Sequence, residues 1–196
     1  RRLVSNVVAR ADDADPMVRF QVALTLGEAN DDPRALDALA AIAIRDAADR
    51  WTRAAVLTAI AGRAPDLLAR LSEGDFLASD VGRPWLDDLA TMIGQSKDAK
   101  AVEKVVADLL AGNQSDELRG RVVLALGAGL KRARGSLHEA LSPAVWERLA
   151  PLFDAAAKAA KSDAPAAARA SAIALVGLSG PGRSLEALPP LLDARQ

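Results

Sequence analysis

The stretch that decides the fold is Asp15-Pro-Met-Val-Arg19, followed by Phe-Gln-Val-Ala-Leu-Thr-Leu-Gly27. An arginine stands near the start of an apolar segment, and a glycine follows it eight residues later. Apolar residues lie one position before this arginine and three, four and seven positions after it: Val18, Val22, Ala23 and Leu26. This spacing places them on one face of a helix. The segment therefore predicts an amphipathic helix that begins near Pro16 and ends near Gly27.

The same arrangement recurs along the chain. The corresponding anchor positions are Arg19, Arg53, Leu86, Arg119 and Arg169, separated by steps of 34, 33, 33 and 50 residues. A period of about 33 residues that holds two amphipathic helices is typical of stacked helical repeats. The longer last step predicts a loop insertion near residues 131–142.

We therefore expect an all-α fold, a right-handed superhelix of about five helix pairs that forms a single repeat domain over residues 1–196. No segment alternates between apolar and polar residues strongly enough to predict a strand. Trp85 and Trp146 fall on apolar stripes and are predicted to be buried, and Pro151 is predicted to kink its helix. The helices are expected near residues 2–12, 16–29, 33–46, 50–61, 65–79, 84–94, 98–112, 115–131, 143–161, 165–178 and 184–194.

Composition excludes several classes of site. The chain has no cysteine and one histidine, which excludes disulfides, thiolate metal ligands and a multi-histidine metal site. The formal net charge of -1 argues against a dedicated nucleic-acid binder. No apolar run approaches the roughly 18 residues of a membrane span, so no membrane insertion is expected. The chain opens on Arg1 without a methionine, and we expect it to be part of a longer protein.

The run Asp15-Pro-Met-Val-Arg19, with its following helix, resembles the HEAT-repeat family of armadillo-like α-solenoids. Thr52 replaces the valine of that pattern, Leu86 replaces the arginine, and Ala168 also stands in a valine position. The resemblance implies a non-catalytic scaffold that binds a protein or docks other domains of its parent chain. In such repeats the second helix of each pair lines the concave side.

Three runs also resemble the HEAT segment of large planctomycete-type proteins that fuse a propeller, HEAT repeats and a c-type cytochrome domain. They are Val18 to Gly27, Asp49 to Leu57, and Gly62-Arg-Ala64. The Cys-x-x-Cys-His motif for haem attachment is absent from this chain, so we expect no cofactor here. This resemblance implies an exported or periplasmic parent whose redox chemistry lies outside these residues.

Two groups of residues are candidates for function. On the predicted concave side, positions that point away from the apolar stripe form a candidate surface for a protein partner: Phe20, Gln21, Leu24, Glu28, Trp51, Asp87, Asp88 and Arg121. Phe20 and Leu24 are expected either to form an interface or to be covered by flanking repeats. The recurring charged residues are expected to form a structural ladder between repeats, with an anion site as the alternative: Asp15, Arg19, Asp49, Arg53, Arg119 and Arg169.

No catalytic, cofactor-binding or metal-binding residue is predicted. His138 stands alone in a loop segment with Lys131, Arg132 and Arg134, and no nucleophile or acid accompanies it in a recognisable motif. The glycine pairs lack the strand-glycine-helix context of a phosphate loop. We expect no enzyme. The alternatives are a HEAT-like DNA-binding module of the DNA glycosylase type, or a passive spacer in a multidomain redox protein.

Overall fold

A computed structural model describes residues 2–29 and 32–187. These residues form thirteen α-helices and two short 3₁₀ turns, and contain no strand, so the expected all-α fold is confirmed. The helices are α1 (Arg2–Val8), α2 (Pro16–Leu26), α3 (Pro33–Arg45), α4 (Arg50–Ala59), α5 (Ala64–Leu71), α6 (Arg83–Gln95), α7 (Ala99–Ala111), α8 (Asp116–Arg132), α9 (Leu137–Ala140), α10 (Pro143–Arg148), α11 (Ala150–Ala160), α12 (Ala166–Gly177) and α13 (Pro181–Ala187).

Short acidic or hydroxyl side chains start many of these helices. Asp15, Asp49 and Asp98 each accept a hydrogen bond from the backbone N–H two residues further on, at 2.8, 2.8 and 3.0 Å. Ser115 accepts from the backbone N–H of Leu118 at 3.3 Å. Each bond satisfies a donor that the first helical turn leaves unpaired, which defines where the helix begins.

The described residues form two compact units, which divide between Met92 and Ile93. In the first unit, α1 packs on α3, α3 on α5 and α2 on α4. In the second unit, α7 packs on α10 and α8 on α12, while α8 also contacts α7 and α11. Within each unit, these alternate helices therefore pack on each other.

The apolar stripe predicted for α2 forms part of the core, and Val22, Ala23 and Leu26 are buried. Trp85 is fully buried as predicted, and its indole N–H donates to the carbonyl oxygen of Ala47 at 3.1 Å. Trp146 is only half-buried, so its prediction as a core residue is partly wrong.

Several predicted boundaries differ from the structure. The helix predicted for 65–79 ends at Leu71, because Ser72, Gly74 and Asp75 are poor helix formers. The helix predicted for 143–161 is interrupted at Leu149, two residues before the proline expected to kink it. In the predicted insertion, α8 continues to Arg132 and residues 137–140 form α9. The last predicted helix corresponds to α13 up to residue 187, and its remainder lies outside the described residues.

The recurring glycines allow successive second helices to approach closely. A β-carbon at Gly27 would lie 3.0 Å from the α-carbon of Ala59, and one at Gly94 would lie 2.3 Å from the carbonyl oxygen of Leu126. Gly127 lies inside α8, where a β-carbon would meet the side chain of Leu178 at 2.6 Å. The glycine therefore leaves room for the Leu178 side chain, which directly follows α12.

We expect Gly94→Ala to lower the free energy of unfolding by about 1–3 kcal/mol, because the added methyl group would displace the backbone of α8. Urea denaturation followed by circular dichroism measures this change. The matched control is Gly177→Ala, at the equivalent repeat position, where a β-carbon would meet no atom within 4 Å. A loss of the same size in both variants would contradict the close-contact explanation.

Candidate functional site

Arg19 is the most extensively bonded charged side chain near the start of α2. Its Nε and Nη2 atoms donate to the two carboxylate oxygens of Asp46, at 2.7 and 2.5 Å. Its Nη1 atom donates to the backbone carbonyls of Asp13 and Ala14, at 2.6 and 3.0 Å. The side chain is 6% exposed, and its bonding to Asp46 raises the pKa of the Arg19 guanidinium. The arginine thereby fixes the start of α2 against the C-terminal end of α3.

The aspartates of the predicted ladder cap helices and do not pair with the arginine four residues later. Asp15 and Asp49 cap α2 and α4. Arg53 instead forms an ion pair with Asp88 of α6, with 3.1 Å between Nε and Oδ2. Partial burial of Asp88 raises the pKa of its carboxyl group, and the neighbouring Arg53 opposes this shift.

The other two anchor arginines have different surroundings. Arg119 donates to the side chain of Asp116 and to the carbonyl oxygen of Gly112, at 3.1 and 2.9 Å. Both bonds are local to the start of α8. Arg169 is exposed on α12, and it has no ion pair within the described part of the chain. Among the four anchor arginines, Arg19 and Arg53 therefore pair with a carboxylate from a later part of the chain, whereas the bonds of Arg119 stay local.

The most exposed candidate residues lie on one side of α2 and α4, which we call the outer face. It is defined by three equivalent positions on each helix, at spacings of three and four residues: Met17, Phe20 and Leu24 on α2, and Trp51, Ala54 and Thr58 on α4. Met17, Leu24 and Trp51 are 64, 41 and 62% exposed. Phe20 is half-buried, so the predicted exposed pair of Phe20 and Leu24 is exposed mainly at Leu24. The guanidinium carbon of Arg50 lies 4.6 Å from the centre of the Trp51 ring.

The remaining candidates are more scattered. Gln21 and Glu28 are exposed on or just after α2. Asp87 and Asp88 are half-buried on α6, and Asp88 is engaged with an arginine. Arg121 is half-buried on α8 of the second unit. The structure therefore brings Phe20, Leu24 and Trp51 onto one pair of packed helices. Met17 was not among the predicted candidates, although it lies 34 residues before Trp51 and is therefore its equivalent in the first repeat.

Two shallow cavities complete the surface. One, of about 260 Å³, is lined by Trp146, Glu147, Ser179 and Arg183 together with His138. The ring centres of His138 and Trp146 are 4.8 Å apart and the rings meet edge to face. The second cavity, of about 380 Å³, is a largely apolar groove between α1 and α2.

No match to this chain is found among family models, curated proteins or solved structures. Within residues 2–29 and 32–187, no helix combines the length and the apolar character that spanning a bilayer requires. The described residues also contain no group of three or more acidic or histidine side chains placed to hold a metal ion.

We expect Arg19→Met to lower the free energy of unfolding by about 3 kcal/mol, because it leaves the largely buried Asp46 carboxylate without its partner. Urea denaturation of the purified variant measures the loss. The control is Asp108→Asn, which removes an exposed ion pair with Lys104 at 2.7 Å and should cost less than about 0.5 kcal/mol. Equal losses in the two variants would show that burial of the Arg19 pair has no special effect.

Proposed function

We propose that the chain is a HEAT-like repeat scaffold, a right-handed α-solenoid that binds a protein partner and has no catalytic site of its own. Three observations support this assignment. The anchor positions recur near every 33 residues, alternate helices pack on each other within each unit, and glycine recurs where the second helices touch. Arrays of this kind present extended surfaces, which suits them to protein binding.

The outer face of α2 and α4 is the observation that favours a protein partner. Tryptophan, methionine and leucine side chains are exposed there on neighbouring helices. Contiguous exposed apolar side chains mark interaction sites, and tryptophan and methionine are enriched in protein interfaces. Covering the exposed part of Trp51 alone would remove on the order of 100 Å² from water, which is favourable by about 2–3 kcal/mol.

The surroundings of this face define the chemistry of the partner. Arg50 stacks on Trp51 and restricts the indole, which lowers the entropy lost when a partner covers it. Gln21 and Glu28 supply polar groups beside the apolar residues. An apolar centre with a polar rim is the usual arrangement of a protein interface. We therefore infer a protein segment with an apolar anchor, from another domain of the parent chain or from a separate protein.

Selection of a displayed random-peptide library on the immobilised chain tests this proposal. We expect the selected peptides to contain an apolar anchor, and their binding to shift the fluorescence of exposed Trp51. In the double variant Leu24→Ala/Trp51→Ala, peptide affinity should fall by at least about tenfold, as for an interface hot spot.

The control is Ile44→Ala, which removes a side chain that is 52% exposed on α3, outside the outer face. This variant should bind the selected peptides as well as the unaltered chain does. Peptides that bind equally to the double variant, or a library from which none is enriched, would refute the proposal. Binding to duplex DNA with a steep salt dependence would favour the nucleic-acid alternative instead.

A further inference from the structure

The repeat register allows the α1–α2 groove to be compared with a covered surface of the same protein. Residues 34 positions apart are equivalent in the first two repeats. On α4, which packs against α2, four residues of one side are buried: Thr52, Ala55, Val56 and Ala59. Their equivalents on α2 line the open groove: Val18, Gln21, Val22 and Thr25. The side of α2 that lines the groove is therefore equivalent to a side of α4 that is buried by neighbouring helices.

An acidic residue at the edge of this surface follows the same register. Asp46, which receives the buried Arg19, is equivalent to Asp12. The Asp12 side chain is 95% exposed and is paired with Arg45, itself 42% exposed. An ionised carboxylate has acceptor sites for more than one guanidinium group. Asp12 is thus the exposed equivalent of Asp46, which binds Arg19 and so joins α2 to the next helix pair.

The complementary surface is exposed on α12. On α2, one side carries Arg19, Ala23 and Gly27, and these residues are covered by the next helix pair, with Ala23 0% exposed. The equivalent residues of α12 lie 150 positions later, and all three are exposed: Arg169, Ile173 and Gly177. A β-carbon at Gly177 would meet no atom within 4 Å. Although α13 contacts α12, it leaves this side exposed.

We propose that the α12 surface of one molecule docks into the α1–α2 groove of a second copy of this chain, with Arg169 bound to Asp12. Charge complementarity supports this occupant. Arg169 has no ion pair among the described residues, and Asp12 is exposed. The two residues hold the repeat positions of Arg19 and Asp46, which pair within the chain. Gly177 then lies against Thr25 as Gly27 lies against Ala59. Ile173 packs against the apolar floor formed by Val18 and Val22.

This contact joins two different surfaces, so a dimer still has one free groove on one molecule and one free α12 surface on the other. Association therefore continues beyond the dimer as the concentration rises. The contact also goes beyond the proposed scaffold function, because the α12 surface and Asp12 are separate from Leu24 and Trp51 on the outer face.

Sedimentation velocity of the purified chain over about 1–500 µM tests the inference. We expect the mean sedimentation coefficient to rise with concentration. Asp12→Arg and Arg169→Asp should each weaken association by at least about tenfold, the scale measured for close interfacial charge pairs. The double variant Asp12→Arg/Arg169→Asp should recover association, because the pair is restored with its charges exchanged.

Two further variants separate docking from general effects of charge and folding. Asp108→Arg makes the same change of charge at an exposed position of α7 and should associate like the unaltered chain. Gly177→Leu fills the space where Thr25 would sit, at a position where a β-carbon would meet no atom within 4 Å, and should weaken association while leaving the circular dichroism spectrum unchanged.

An unaltered chain that remains monomeric at every concentration would overturn the inference, as would association that neither single charge variant weakens. The double variant Leu24→Ala/Trp51→Ala should still self-associate. Its loss of peptide binding and the loss of self-association in the Asp12 and Arg169 variants therefore report on different residues, so either proposal can fail alone.

Discussion

The bidentate bond between Arg19 and Asp46 fixes the position of α2 in the first unit. A guanidinium that is 6% exposed would lose its hydration at considerable cost if it were unpaired. Asp46 and the carbonyls of Asp13 and Ala14 satisfy it, so only one placement of α2 against α3 retains all of these bonds. The buried side of α2, its exposed outer face and the groove beside α1 all follow from that placement. The Arg53–Asp88 pair is more exposed and constrains its helices less.

The sequence predicted the features that depend on neighbours along the chain. Helical periodicity predicted the all-α fold and the buried side of α2, and Pro16 and Gly27 marked the ends of that helix because such end signals are local. Features that depend on tertiary packing were missed. No spacing rule connects Arg19 to Asp46, 27 residues away. The contact made at Gly127 was also missed, because it depends on Leu178, which directly follows α12.

The candidate surface also combines features that local sequence predicts with features that only tertiary packing determines. Helical spacing placed Leu24 and Trp51 away from the apolar stripe, and both are exposed. Helical spacing also placed Phe20 away from the apolar stripe, but that residue is half-buried. A helical wheel assigns an angle to each side chain, but only packed neighbours determine how wide the covered arc is. The same limit explains why identical anchor positions give a buried Arg19 and an exposed Arg169.

The glycines of α8 have a consequence for the order in which the second unit folds during synthesis. Gly120, Gly127 and Gly129 together disfavour the isolated helix by roughly 3 kcal/mol relative to alanine. They approach Leu175, Leu178 and α6, and the two leucines are translated about 50 residues after the middle of α8. At about 5–20 residues per second, α8 leaves the ribosome several seconds before α12 is available to stabilise it. During that interval the side of α8 that packs on α12 remains uncovered.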